Sequence, residues 1–162
     1  MTNTFLRSIV GATLTMMALV AFGQVSVHAQ RGEYEKRIWG SWDAIATRRN
    51  CVTGAVLGTF PTMFTFSDDG TFWEAGTNTA PSLRSASHGL WERDSPGVYT
   101  TSFRFFRFNA DGTFAGRNIV RQHIEVSDDG QTYTASAISQ VLDVNGVIIS
   151  TNCTTGEGTR FE

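Results

Sequence analysis

Four short turn sequences constrain the fold of this 162-residue chain more than any other feature. Each places Asp or Asn just before a glycine: FSDDGTF at 66–72, FNADGTF at 108–114, VSDDG at 126–130 and LDVNGV at 142–147. Asp and Asn form local hydrogen bonds in turns, and glycine adopts positive φ without a Cβ clash. Each sequence therefore predicts the tip of a β-hairpin. Because the intervals between them are unequal, they are not the units of a solenoid.

The segments between the turns alternate apolar and polar residues with the period of β-strands. We count about eight strands in sequence order and no convincing amphipathic helix after Arg37. An open meander of this size has two exposed edges, whereas closure removes them. The sequence therefore predicts an all-β fold, an eight-stranded up-and-down antiparallel barrel. A sandwich of two sheets is the alternative.

Three details of the strands are more difficult to assign. Pro61 is expected to begin a strand, since proline is tolerated at a strand start. In the strand 98–108, the inward set Tyr99, Thr101, Phe103 and Phe105 is followed by Phe106 and Phe108, which indicates either a β-bulge or a strand that is apolar on both faces. On the next strand, alternation places Phe114 on one face with Val120 and Ile124.

The N-terminal segment has the features of a secretory signal peptide. Arg7 precedes an apolar run over residues 9–22, and Val27-His28-Ala29 resembles a cleavage site. We interpret residues 1–29 as the signal peptide and residues 30–162 as a single barrel domain. This predicts a secreted or periplasmic protein with no stable membrane span after cleavage; an uncleaved anchor helix is the alternative.

Cysteine content and charge limit the other function classes. Cys51 and Cys153 are the two cysteines, and in an exported chain they predict a disulfide rather than a redox or metal pair. The formal net charge is −2, and the basic residues are scattered along the sequence. This distribution argues against a nucleic-acid partner and against a polybasic membrane patch.

The first and last strands carry a family pattern. Gly40-Ser41-Trp42, a meander of hairpins, and Arg160 near the end resemble the calycin barrels, that is, the lipocalins and their relatives. The chain also resembles small secreted bacterial proteins of unassigned function that end in a Thr-Arg-Phe-Glu sequence. The calycin resemblance implies that Trp42 packs across the barrel floor under Arg160. It also implies that the barrel binds a ligand. Arginine can stack on an indole while its stem covers apolar surface.

Polar residues on an apolar face suggest where a ligand would bind. Asn118 and Gln122 share a face with Val120 and Ile124, so they are either buried with internal partners or available to a ligand. The aromatic residues expected on the same lumen are Phe64, Phe66, Trp91, Phe103 and Phe105. A lumen of this composition can form a pocket for a small apolar molecule, but it is also the composition of a filled core, which we slightly favour from the sequence alone.

No motif for nucleophilic catalysis, phosphate binding or dinucleotide binding is present, and no spacing indicates a metal site or a cofactor. His123 is expected on the surface, and His88 is expected in a loop. The composition favours a small-molecule-binding barrel over an enzyme. One alternative is a cyclase or isomerase that uses Asn118, Gln122 or Glu74. Another is an interaction protein with a filled barrel and a homodimer contact through Phe105 and Phe106.

Overall fold

The computed structural model describes residues 37–161. Strands β1 to β8 span, in order, Gly40–Arg49, Val56–Phe66, Thr71–Gly76, His88–Ser95, Val98–Phe108, Phe114–Val126, Thr132–Leu142 and Ile148–Arg160. One turn of 3₁₀ helix, Pro81–Leu83, lies between β3 and β4. No helix in this part of the chain is long and apolar enough to cross a membrane. The predicted signal peptide, residues 1–29, lies outside the described residues.

The strands form a closed barrel. Each strand pairs antiparallel with its neighbour in sequence, and β8 pairs with β1. This closing seam runs from Trp42 opposite Arg160 to Arg49 opposite Cys153. Closure leaves no unpaired edge along the seam. The predicted all-β, eight-stranded up-and-down barrel is therefore confirmed, and the sandwich alternative is excluded.

The predicted turn chemistry explains the hairpins. The four turn glycines all have positive φ, 88° at Gly70, 83° at Gly112, 70° at Gly130 and 83° at Gly146. Asp69 Oδ1 accepts hydrogen bonds from the Thr71 hydroxyl at 2.6 Å and the Thr71 backbone N–H at 2.9 Å. Asp111 and Thr113 repeat this arrangement. These bonds, led by the one from the threonine hydroxyl, lower the pKa of both carboxyl groups. The turns are therefore scaffold.

Strand β2 is longer than expected, and Pro61 lies inside it rather than at its start. Thr77 N–H donates to the Pro61 carbonyl oxygen at 3.1 Å, and the regular β2–β3 ladder begins one residue later, at Thr62 opposite Gly76. Pro61 thus lies where the ladder to β3 ends, so its missing N–H leaves unmade only the reciprocal bond to Thr77 at the ladder's last pair. That position is what allows a proline within a long strand.

The expected face of Phe114 was wrong. The pairing of β5 and β6 shifts between Arg107 and Phe108, which face Gly116 and Phe114, so Ala115 is an extra residue on β6. This bulge reverses the alternation, and Phe114 packs outside the barrel against Phe106, with ring centroids 5.8 Å apart. Phe106 itself lies on the outer face before the shift. The strand 98–108 is therefore apolar on both faces, as one of the two alternatives predicted, and the bulge lies on the neighbouring strand β6 instead of within it.

One end of the barrel is filled by a compact aromatic core. We call it the closed end; β1 begins there, and it carries the turns at 67–70, 96–97 and 127–131. Trp42 is fully buried, and its indole N–H donates to the Ile38 carbonyl oxygen at 2.6 Å. The Arg160 guanidinium lies 4.2 Å from the Trp42 ring centroid and donates to the carbonyl oxygens of Arg37 and Trp39, each at 2.6 Å. Arg160 thus links the chain entering β1 to the end of β8.

Tyr133 makes the stability of this core sensitive to alkaline pH. Its ring packs edge-on against Trp42 at 5.1 Å, and burial raises the pKa of its hydroxyl above the ordinary value. The unfolded chain then loses the proton before the folded chain does, so stability is present below about pH 10 and is lost as pH rises above that value. We expect the free energy of unfolding to fall by up to about 1.4 kcal/mol per pH unit more in the wild type than in Tyr133→Phe. Urea unfolding at pH 9, 10 and 11 measures the difference; parallel pH profiles would contradict it.

Candidate ligand cavity at the open end of the barrel

The barrel interior is not filled along its whole length. A cavity of about 240 Å³ lies between the closed-end core and the opposite end, which we call the open end; it carries the loops 50–55, 77–87, 109–113 and 143–147. The cavity lining includes the exposed residues Arg48 and Asn78, so the cavity reaches solvent at the open end. The lumen is therefore packed at the closed end and contains a cavity toward the open end, where the sequence left a choice between a filled and a hollow interior.

Aromatic side chains form the inner wall of the cavity. Phe64, Phe103 and Phe105 are each at most 6% exposed, and all three line it. The rings of Phe103 and Phe105 are stacked with centroids 6.5 Å apart, and Phe64 meets Phe103 edge-on at 6.4 Å. They alternate along β2 and β5 with outward residues, so strand periodicity alone places them together. This wall offers apolar, π-rich contact to a ligand.

A buried ion pair crosses the side of the cavity. Arg84 donates to Glu74 at 2.6 Å, and the two side chains are only 7% and 5% exposed. The Thr62 hydroxyl donates to the other carboxylate oxygen of Glu74 at 3.0 Å. The Arg84 guanidinium also lies 3.9 Å from the centroid of the Phe105 ring. Both oxygens of Glu74 are therefore engaged, and its charge is compensated within the wall.

The long loop between β3 and β4 is part of this wall. Ser85 N–H donates to the Phe106 carbonyl oxygen at 3.0 Å, and Phe106 N–H donates to the Ser85 hydroxyl at 2.9 Å. Ser87 is fully buried, and its hydroxyl accepts from Glu74 N–H at 2.8 Å. The loop thus continues the pairing of short β4 along β5 and directs Arg84 inward. It is more than a crossover between strands.

Two side-chain amides of β6 line the cavity, and they differ in whether the amide oxygen has a hydrogen-bond partner. Gln122 Oε1 accepts a hydrogen bond from the Thr101 hydroxyl at 3.0 Å. Asn118 also lines the cavity, and its Oδ1 is buried without a hydrogen-bond partner among the described residues. An unpaired buried acceptor is costly, so each one requires an explanation. A ligand that donates a hydrogen bond would satisfy Asn118.

The structure brings together five of the seven residues predicted to bind a ligand: Phe64, Phe103, Phe105, Asn118 and Gln122. Phe66 instead packs in the closed-end core, with its ring 4.9 Å from that of Phe72. Trp91 lies toward the closed end, where it meets Tyr99 edge-on at 5.5 Å and donates to the Ser67 carbonyl oxygen at 2.8 Å. The cavity is therefore smaller than the lumen that the sequence suggested.

Sequence reasoning missed the arginines at the rim. Arg48 and Arg107 both line the cavity. Each stands two residues beyond an inward residue, Ala46 on β1 and Phe105 on β5, so alternation does place them on the inner face. The alternation was visible in the sequence, but the inward-facing apolar residues end at Ala46 and Phe105, so the two arginines were not included in the predicted lumen.

Comparison with known proteins adds nothing to the geometry. No model of a known protein family matches the chain, and no curated protein matches it.

The remaining candidates lie outside the cavity. His123 is 49% exposed in its side chain and lies 3.3 Å from Glu125, on the outer face as expected. His88 is exposed. No group of three metal-ligating side chains occurs in residues 37–161. A depression of about 560 Å³ near Ile45, Pro61 and Met63 lies on the outer surface of the sheet. The two buried polar side-chain atoms that lack a partner within residues 37–161, Arg117 Nε and Asn118 Oδ1, do not belong to its lining, whereas Asn118 lines the smaller cavity, so we place the candidate site there.

Proposed function

We propose that this protein is an exported, calycin-like barrel that binds a small, mainly apolar molecule in the cavity at its open end. One observation carries the proposal: a cavity of about 240 Å³ lies inside the barrel toward its open end, and its lining combines a phenylalanine wall with the amide oxygen of Asn118, which has no partner among the described residues. Small-molecule sites in proteins have this composition, apolar walls with a few convergent polar groups. A barrel that served only as a scaffold has no need of an unpaired polar atom in an empty interior.

Two features support the calycin-like and exported parts of the proposal. Arg160 covers the ring of Trp42, and Trp42 follows Gly40 on the first strand, as in the pattern that suggested the family. The disulfide between Cys51 and Cys153 suits an oxidising compartment. It agrees with the interpretation of residues 1–29 as a signal peptide.

The alternatives have less support. A cyclase or isomerase needs a free acid–base group, whereas the one carboxylate on the described cavity lining, Glu74, is held by Arg84 and Thr62. The suggested homodimer contact loses Phe105, which is buried inside the barrel, and retains only Phe106 with its neighbour Phe114. The binding barrel therefore remains the proposal with the most support.

Filling the cavity tests this proposal. Ala137 lines the cavity between Gln122 and Thr154, and Ala137→Phe places a ring in the empty volume. We expect 2-phenylethanol, 3-phenylpropionate, octanoate or camphor to raise the melting temperature of the wild type by several degrees near 100 times its Kd. The same compound should have no effect on Ala137→Phe.

The matched control is Ile138→Phe. Ile138 follows Ala137 on β7 but is 53% exposed on the outer face, so its substitution adds the same ring without entering the cavity. Ile138→Phe should respond to ligand as the wild type does. If no compound stabilises the wild type, or if both variants lose the response equally, the cavity is not a binding site.

A further inference from the structure

The rim of the cavity carries two arginines that have no side-chain partner in the described part of the chain. Arg48 and Arg107 line the cavity, and within residues 37–161 neither side chain forms a hydrogen bond or an ion pair. Strands β1 and β5 lie four strands apart in the closed eight-stranded barrel, so the two arginines stand on opposite sides of the mouth. Arg84, by contrast, is already paired with Glu74. The rim therefore has two guanidinium groups free to bind an anion.

Arginines and carboxylates are distributed unequally between the two ends of the barrel, although both are scattered along the sequence. Within four residues of the strand ends and in the loops, the open end of the described chain has five arginines and three carboxylates. Glu74 lies within four residues of both ends of short β3 and is assigned to the nearer, open end. On that basis the closed end has three arginines and nine carboxylates among residues 37–161. A positive mouth attracts anions and repels cations over distances of about a Debye length.

Asn118 adds a hydrogen-bond acceptor beside one of these arginines. It pairs with Phe105 across β5 and β6, and Arg107 is two residues beyond Phe105 on the same inner face. Asn118 and Arg107 are therefore diagonal neighbours, whose side chains are within reach of one small ligand. The unpaired Oδ1 requires a donor, which a carboxylate does not supply. A ligand with a hydroxyl group close to its carboxylate satisfies both residues.

The volume of the cavity limits the size of the apolar part of the ligand. About 240 Å³ is the space of about eight water molecules and is below the range of about 300–1,000 Å³ that holds drug-sized molecules. One aromatic ring with a short side chain fits this space, and it would face the rings of Phe64, Phe103 and Phe105. A long acyl chain exceeds it.

We infer that the cavity binds a small aromatic 2-hydroxycarboxylate, with the carboxylate between Arg48 and Arg107, the hydroxyl donating to Asn118, and the ring against the phenylalanine wall. This inference rests on the proposed function and gives it a ligand class. It also excludes cationic ligands of the same shape, because the positive rim formed by Arg48 and Arg107 opposes an ammonium group.

Calorimetric titration with matched compounds tests the ligand class. The probes are 3-phenyllactate, 3-phenylpropionate without the hydroxyl, 2-phenylethanol without the carboxylate, and 2-phenylethylamine with a positive charge. We expect 3-phenyllactate to bind about 10–100-fold more tightly than 2-phenylethanol, and 2-phenylethylamine not to bind, because charge-assisted hydrogen bonds are lost. The affinity for 3-phenyllactate should fall as salt concentration rises.

Three substitutions separate the contributions. Arg107→Gln should weaken 3-phenyllactate about 10-fold or more and leave 2-phenylethanol unchanged. Asn118→Leu should remove the preference for 3-phenyllactate over 3-phenylpropionate. The matched control is Arg104→Gln, an exposed arginine on the outer face of the same strand, which changes the net charge equally and should leave the affinity unchanged.

The outcomes distinguish the ligand class from the proposed function. If 2-phenylethanol binds as tightly as 3-phenyllactate, and binding is abolished by Ala137→Phe, the cavity binds ligands but the anionic class is wrong. If Arg104→Gln weakens binding as much as Arg107→Gln, the rim arginines do not contact the carboxylate. If none of the four probes binds and Ala137→Phe is without effect on the other compounds, both proposals fail.

Discussion

Replacing Glu74 by leucine is expected to lower the free energy of unfolding by about 3–5 kcal/mol. The substitution leaves the guanidinium of Arg84 buried without its counter-charge, since only 7% of the Arg84 side chain is exposed. Arg84→Met should have a similar effect, because it leaves the Glu74 carboxylate unpaired in the wall. Each charge of the pair compensates the other, so either single substitution should strongly lower the free energy of unfolding.

The double variant Glu74→Leu/Arg84→Met should recover most of the loss. Two apolar side chains of similar volume replace the pair, and buried ion pairs exchanged in this way are often neutral or better. Thr62 loses one acceptor, but its hydroxyl also lies 3.3 Å from the Ala75 carbonyl oxygen and can donate there. The single effects should therefore not add, with a coupling of several kcal/mol.

Urea unfolding of the wild type and the three variants measures this cycle. The control is Glu125→Gln, which removes an exposed partner of His123 and should change stability by no more than about 0.5 kcal/mol. Additive single effects would show that Glu74 and Arg84 act independently. A double variant less stable than either single one would show that the loop 77–87 depends on charge to pack.

The hairpins and the closure of the sheet were predictable because both depend on local chemistry and a general constraint. Asp69 and Asp111 bond to residues two positions later, so five or six letters of sequence contain the whole turn. Closure followed from the need to protect two edges. Neither step requires knowledge of which distant residues meet.

The errors have a common physical cause in contacts between distant residues. The bulge at Ala115 that moves Phe114 outward depends on how Gly116 approaches the end of β7, where a Cβ would overlap the Leu142 carbonyl oxygen. Glycine within a strand was the available sign of such an approach. Likewise, nothing near Arg84 in sequence shows that it turns inward, since Arg84 lies in the loop 77–87 and its partner Glu74 is on β3.

Alternation could not predict which part of the barrel interior is packed and which part contains the cavity. Alternation places Phe64 and Phe66 on the same inner face, yet only Phe64 reaches the cavity while Phe66 stacks on Phe72 in the closed-end core. Packing volume, not pattern, decides where space remains. The unequal distribution of charge has a similar cause: alternate turns of an up-and-down barrel lie at the same end, so Asp68 and Asp128 are on the same end of the barrel although they are far apart in sequence.

Removing the disulfide with Cys51→Ala/Cys153→Ala is expected to lower the free energy of unfolding by up to about 4–5 kcal/mol. The bond joins residues separated by 102 positions, with Cα atoms 5.2 Å apart, so it strongly restricts the unfolded chain. In the folded barrel it fastens the open-end terminus of the β1–β8 seam, where Arg49 pairs with Cys153. Residual structure in the unfolded chain would reduce the effect.

The folded structure should change little in the same variant. This result would separate the effect of the disulfide on the unfolded chain from its effect on the folded open end. Asn50 Oδ1 accepts from the N–H groups of Val52 and Thr53, and Asn50 N–H donates to the Ala55 carbonyl oxygen at 2.9 Å, so the 50–55 loop has its own hydrogen bonds. Amide exchange in this loop should remain protected while global unfolding becomes easier. Loss of protection confined to the loop and to Arg49, with global stability unchanged, would instead mean that the disulfide holds the mouth of the cavity and not the fold.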